Sequence, residues 1–174
     1  MSNLKDLFGW VSFWICHLGK IMDIHAQKYA WKQFPNVDRT ANLGAKVVYH
    51  GPKKALKIGA NTYINEAIIV AGSESTIKIG DNCAIGYRVS IKAVTHDLRK
   101  PTSNESGSFM VRERDIVIGD NCWIGDNVFI KEGVRLGDAV IVGANSVVTK
   151  SFPSNLIIAG VPAKVIRSSN QELD

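Results

Sequence analysis

Four histidines, three cysteines and a basic stretch near the C-terminus are the groups in this chain best suited to chemistry. A neutral imidazole can take a proton from a weakly acidic group near pH 7. His17 and His25 fall in a stretch with helical spacing and read as structural, and His50 stands beside Gly51 at a turn and reads as surface. His96 differs: it closes the run Ser90-Ile91-Lys92-Ala93-Val94-Thr95-His96 and opens a large polar insertion. Cys16, Cys83 and Cys122 form no C-x-x-C pair and no His/Cys ligand pattern, so no metal site is expected. Lys164 and Arg167 carry the N–H donors that phosphate oxygens need, or else form a solvated end.

A repeat must position these groups. From Ile118 to Thr149 an aliphatic residue recurs every sixth place: Ile118, Ile124, Ile130, Leu136, Val142, Val148. Four places after each comes a second, usually smaller residue: Cys122, Val128, Val134, Val140, Ser146, Phe152. Neither a helix nor an ordinary strand has this period, and short repeats at fixed spacing signal a parallel β-solenoid. The count extends backwards through Val37, Leu43, Tyr49, then Ile58, Ile64, Val70, then Ile79, Ile85, Ile91. With one hexad per flat face and three faces per turn, the expectation is five triangular coils. Breaks between the triplets are corner loops, the largest at residues 97–115. Asn61, Asn82, Asn121, Asn127 and Asn145 share the third place after the aliphatic residue. Asn tolerates left-handed backbone angles, so these are corner residues. Cys83 and Cys122 share a slot in successive coils and are expected as stacked, buried, reduced thiols.

The first 35 residues are of another kind. Residues 4–33 place Leu4, Leu7, Phe8, Val11, Ile15, Leu18 and Ile21 at helical spacing, widened by Trp10, Phe13, Trp14 and Trp31. The uncharged run from Leu7 to Gly19 is too short to span a bilayer and lacks a cleavage motif. The helix is expected to cover the open end of the solenoid; a weak membrane-surface contact with its lysines outward is the alternative. Domain limits follow as 1–35 helical, 36–167 solenoid and tail, and 168–174 frayed. At 174 residues, 45% hydrophobic and 21% charged, one globular domain is expected. The net charge of +5 fits a solvated surface or anionic partners, and no basic block interleaved with aromatics suggests nucleic acid. An odd cysteine count and no leader fit a cytoplasmic chain.

The stretches WIGDNVFIKEGVRLGDAVIVGANSVVTK and IIAGVPAKVIR carry a resemblance. From about Val37 to Arg167 the chain resembles the hexapeptide-repeat acyltransferases, and among them the sugar and xenobiotic O-acetyltransferases. The resemblance implies an all-β, left-handed parallel β-helix assembled as a homotrimer, with acetyl-CoA as acyl donor and a sugar as acceptor. It places surface-polysaccharide biosynthesis first among pathways. It marks His96 as general base, and His96 followed by Asp97 departs from the family's His-Pro pattern. Whether Asp97 orients the imidazole or points away stays open, since neighbours in an extended chain face opposite sides, and Asp97 is carried as a substrate-binding candidate. It marks Trp123, Ala144, Thr149, Lys150, Gly160, Lys164 and Arg167 as lining the acetyl-CoA groove. Asn65 matches an acceptor-contacting Asn, although only Ile64-Asn65 of the surrounding pattern is kept.

Two other functions fit the same scaffold. One is N-acetylation of a nucleotide-linked amino sugar. The other, from a different class, is a non-catalytic β-helix scaffold or a metal-dependent hydratase. The hydratase needs three histidine ligands, and only His50 and His96 lie in the repeats.

Overall fold

The computed structural model describes residues 10, 12–14, 16–18, 31–97 and 110–169. They form a parallel β-solenoid of about five turns. The first coil holds β1 (Asn42–His50) and β2 (Leu56–Ile58), and the second holds β3 (Tyr63–Val70) and β4 (Ile77–Ile79). The third holds β5 (Ala84–Ile85), β6 (Val89–Lys92), a hairpin of β7 (Val94–His96) and β8 (Val111–Glu113), and β9 (Ile116–Ile118). The fourth holds β10 (Trp123–Ile124), β11 (Phe129–Ile130) and β12 (Arg135–Leu136). The fifth holds β13 (Ile141–Val142) and β14 (Val147–Val148), and the tail adds β15 (Leu156–Gly160) and β16 (Ala163–Ser168).

Three inward columns make the core. On the first face Leu43, Ile64, Ile85, Ile124, Val142 and Ile158 stack in register. On the second face the column is Tyr49, Ile69, Ile91, Ile130 and Val148. On the third it is Val37, Ile58, Ile79, Ile118, Leu136 and Phe152. Parallel pairing sets about 4.8 Å between rungs, which suits β-branched isoleucine stacked on isoleucine. Each fully buried Ile contributes about 1.5–3 kcal/mol, enough to offset strands only two residues long.

The hexad count holds for every coil except at one place. Ile69, fully buried, takes the inward position expected for Val70, which is half-buried. β3 runs through its corner without a break, pairing first with β5 and then with β6. β3 takes this corner with one residue fewer than β1, whose pairing with it shifts register between Leu43 and Lys46 to absorb the difference.

The asparagine slot is as expected, and wider. Asn61, Asn82, Asn121, Asn127 and Asn145 have φ between +54° and +60°. Arg88, Ala139 and Asn155 occupy the same slot with the same sign of φ. The glycines of the Ile-Gly pairs have a different purpose. A Cβ on Gly119 would lie 2.3 Å from Asp138 Oδ1 and 2.7 Å from the Gly137 carbonyl carbon. The neighbouring coil presses directly on that backbone, where the Asp138 carboxylate accepts the Asp120 N–H at 2.9 Å. Close approach, not a left-handed angle, requires these glycines.

Cys83 and Cys122 stack as expected, both buried and both free thiols. Cys83 Sγ lies 3.1 Å from the Gly119 carbonyl and Cys122 Sγ 3.2 Å from that of Gly137. Contact with Cys83 and then burial push the Cys122 thiol well above its usual range. Burial and the Gly119 carbonyl beside its sulfur oppose a thiolate at Cys83 too, so we assign both residues as protonated.

The expected insertion is entered and left through a hairpin: β7 and β8 pair antiparallel, and Asp97 N–H donates to the Met110 carbonyl at 2.9 Å. The segment 98–109, including the polar run 101–107, lies outside the described residues. Ser168 belongs to β16 and Ser169 N–H donates to Asn155 O at 2.9 Å, so the chain is ordered two residues beyond the expected limit. Of the N-terminal stretch, residues 10, 12–14 and 16–18 are helical, and Trp10, Phe13, Trp14 and Leu18 are exposed rather than packed on the solenoid. Trp31 and Phe34, 4.8 Å apart, pack against the core at the first coil. His25 and most of that stretch lie outside the described residues. No helix among the described residues is long and apolar enough to cross a membrane.

Candidate active site

The solenoid has edges where faces meet, and the candidate residues fall on two of them. The edge between the second and third faces carries the residues that follow Ile91, Ile130 and Val148, which are in register. These are Lys92-Ala93 leading into β7, then Lys131-Glu132, then Thr149-Lys150. His96 ends β7 opposite Val111 and is exposed. Asp97, next to it, is half-buried and tied by its backbone to Met110. Thr149 and Lys150 are exposed, and Lys150 Nζ sits 5.5 Å from the centre of the Phe152 ring.

The edge between the first and second faces carries the other set. Asn65 lies in β3 where the strand turns, half-buried, and its carbonyl leaves no room for a Cβ on Gly44. Ala144 follows Val142 and is exposed. Gly160 ends β15 at φ +104°, with little near its missing Cβ. Lys164 pairs with Ala159 and is exposed; Arg167 pairs with Ile157 and is half-buried. Trp123 lies on the first face between Ala84 and Ile141, 56% exposed, while Ile124 points inward. Its flat indole therefore faces outward, as a surface for another group.

A single chain does not bring these sets together. The second face separates the edge of His96, Asp97, Thr149 and Lys150 from that of Asn65, Ala144, Gly160 and Lys164. Three residues that the sequence did not flag complete the His96 edge. Glu132 is buried and Arg112 Nη2 is hydrogen-bonded to it, with Lys131 Nζ at 3.4 Å from the same oxygen. Glu113 Oε2 accepts the Glu74 N–H at 2.8 Å. A signal for Glu132 was available: its slot holds Ala71 and Ala93 in the two preceding coils, both buried. A cavity of about 780 Å³ lined by Trp31, Phe34, Arg39 and Thr40 lies at the first coil and includes none of the candidate residues. Among the described residues no cluster of His, Cys, Asp and Glu could hold a metal ion.

The comparisons agree with the solenoid fold. The family model described as bacterial transferase hexapeptide (six repeats) matches residues 115–150, and hexapeptide repeat of succinyl-transferase matches 76–95. A protein of Escherichia coli K12 assigned as a lipopolysaccharide biosynthesis O-acetyl transferase is 36% identical over 76% of this chain and 70% of its own length. The chain belongs to the hexapeptide-repeat acetyltransferases. Galactoside O-acetyltransferase of the same organism is 40% identical over 71% of this chain, which spans 59% of that relative's length. A hexapeptide-repeat acetyltransferase of Vibrio cholerae O1 biovar eltor, solved with acetyl coenzyme A, superposes with a TM-score of 0.67 at 28% identity. That match covers 84% of this chain and 79% of the other.

Proposed function

We propose that this protein is an acetyl-CoA-dependent O-acetyltransferase of a sugar hydroxyl in surface-polysaccharide biosynthesis, with His96 as general base. The observation that carries the reading is an exposed imidazole on a braced hairpin, along the edge that bears Thr149 and Lys150. The oxygen of the acceptor hydroxyl attacks the thioester carbonyl carbon as its proton passes to the imidazole. The new C–O bond forms, the C–S bond breaks, and the imidazolium returns the proton to the departing CoA sulfur. An activated thioester needs no enzyme nucleophile, which fits the two buried, protonated cysteines. Trp123, Ala144, Gly160, Lys164 and Arg167 suit a long, phosphate-bearing ligand: a flat ring, open backbone and cations. Asn65 stands on the same edge as an acceptor contact.

The working unit is a homotrimer, because the two residue sets lie on different edges and cyclic packing of three copies can bring one edge of each against the other edge of the next. Two faces carry apolar groups outward: Tyr63 and Trp123 on the first, Ile68 and Phe129 on the second. The third carries Lys57, Lys78 and Arg135 and suits solvent.

The test pairs acetyl-CoA with a panel of sugars, half bearing only hydroxyls and half bearing a free amine, and follows release of the CoA thiol. Transfer to a hydroxyl-only sugar is expected, with His96→Ala lowering kcat by about 10²–10⁴ while acetyl-CoA binding holds. Acetylation confined to amines defeats the O-transfer reading. Equal loss of acetyl-CoA affinity in His96→Ala makes His96 a binding group instead. Sedimentation of a monomer with full activity removes the shared site.

A further inference from the structure

The column of residues that begins the edge below β7 breaks its own rule. Ala71 and Ala93 fill it in the second and third coils with small apolar groups. In the fourth coil the same place holds Glu132, whose side chain is only 3% exposed. A buried carboxylate costs several kcal/mol of desolvation unless it is paired, and the solenoid gains nothing from a charge there. Places where a sequence departs from its local pattern at such a cost point to function. Glu132 is paired by Arg112 Nη2, which comes from the second strand of the hairpin, and by Lys131 from its own coil.

Arg112 stands directly opposite Thr95, one residue before His96, and Val111 stands opposite His96 itself. The next residue along β8, Glu113, is held the other way, accepting the Glu74 N–H of the second coil at 2.8 Å. Successive side chains of a strand point to opposite sides. Strand β8 is thus tied to the second coil on one side and to the fourth on the other. β7 is hydrogen-bonded along its length to β8. The root of the loop would otherwise be a two-stranded ribbon, which is marginal alone in water.

We propose that Glu132 and Arg112 are positioning residues for His96, fixing the β7–β8 hairpin on the fourth coil so that the imidazole is held at its edge. This inference rests on His96 as the general base. An exposed ion pair of ordinary worth could not do this, because a surface pair is worth only about 0–1 kcal/mol. The Glu132 carboxylate is buried, and without Arg112 it keeps only the more exposed Lys131 as a partner, so the Arg112 contact counts for more than a surface pair.

The experiment has two readouts on the intact protein. Amide hydrogen exchange of Asp97, whose N–H bonds Met110, is compared in wild type, in Glu132→Gln and in the double variant Arg112→Met with Glu132→Met. Exchange at Asp97 is expected to speed up about tenfold or more in Glu132→Gln while Ile85 and Ile124 in the core stay protected. The Met pair replaces the ions with apolar groups of similar length, so it keeps the fold if Glu132→Gln does not. The second readout is kcat and the KM for acetyl-CoA, with methyl β-D-galactopyranoside as probe acceptor, in wild type and in a His96→Ala background. A displaced base costs about 10–100-fold in kcat with KM for acetyl-CoA unchanged. In the His96→Ala background Glu132→Gln should cost nothing further, since a positioning residue acts only through the group it positions.

Unchanged exchange at Asp97 in both variants overturns the proposal. So does an equal kcat loss in the two backgrounds, which marks a general structural role. If His96→Ala alone keeps wild-type kcat, the general-base reading has failed and the positioning role falls with it. If His96→Ala is damaging and the Glu132 variants are not, only the positioning role has failed.

Discussion

Ala139 stands in the backbone slot that Asn121 fills one coil earlier, at φ +54° against +56°, and both donate their N–H to the corner carbonyl of the coil before, at 2.8 Å. The hydrogen bond fixes the left-handed angle in both, but only asparagine tolerates it locally; for alanine the left-handed region costs about 1–2 kcal/mol. Ala139→Gly and Ala139→Asn should therefore raise stability, by about 0.5–1 kcal/mol for each. Urea unfolding followed by far-UV circular dichroism measures this, with a shift of midpoint at constant slope as the expected sign. A lower midpoint in both variants would show that the slot is not strained.

The opposite outcome is expected at Gly119. A methyl group there meets the Asp138 carboxylate at 2.3 Å and the backbone of Gly137 at 2.7 Å. Backbone cannot swing aside as a long side chain does, so Gly119→Ala should destabilise by about 1–3 kcal/mol. The same urea titration reads it, and an unchanged midpoint would mean that the coils can part without loss.

Thiol chemistry separates the cysteines. Cys16 is exposed, while Cys83 and Cys122 are buried with their sulfurs against carbonyls. Ellman's reagent at pH 8 should titrate one thiol in the folded protein and three in denaturant. The Cys122 pKa is raised in the fold above its ordinary 9.0. The stability it contributes is therefore fully present below about pH 9 and falls as pH rises further, because the unfolded thiol ionises first. Cys122→Ala should flatten that alkaline decline relative to wild type. Rapid modification of all three thiols under native conditions contradicts the stacked arrangement.

The tail cations make a kinetic prediction. Lys164 is exposed beside Ala159, and Arg167, half-buried, has its Nη1 donating to the Ser168 carbonyl at 3.4 Å. If both hold CoA phosphates, Lys164→Ala with Arg167→Ala raises KM for acetyl-CoA roughly tenfold or somewhat more with little change in kcat. Contacts far from the reacting carbon stabilise ground and transition states alike. Added salt should weaken the wild type more than the double variant. A wild-type KM at low salt in the double variant would leave the tail as a solvated end.

The inward columns were legible from the sequence because each coil repeats the same spacing against the same neighbour. Ile79, Ile118 and Leu136 follow that spacing and stack on one face. The left-handed corners were legible at every asparagine because that residue type advertises the angle, and illegible at Arg88 and Ala139 because those types do not. The candidate site was legible only as a set of motifs along the chain. Glu132 was passed over because a charged residue in a hexad looks like surface until its burial is known.

What the sequence by itself determined is the period, and through it the solenoid, its faces and the slot of each candidate residue. A six-residue repeat is local information, enforced at every rung by the same burial of aliphatic side chains. What only the tertiary structure decided is the relation among residues far apart in the chain. The one-residue shift from Val70 to Ile69 shows only in how β3 pairs with β1 and β6. The division of the candidate residues between two edges depends on which face each slot joins. The union of Arg112 with Glu132, twenty residues apart, depends on a hairpin folding back over the next coil. No repeat encodes that contact, because it joins the insertion that interrupts the repeat to a coil that follows it.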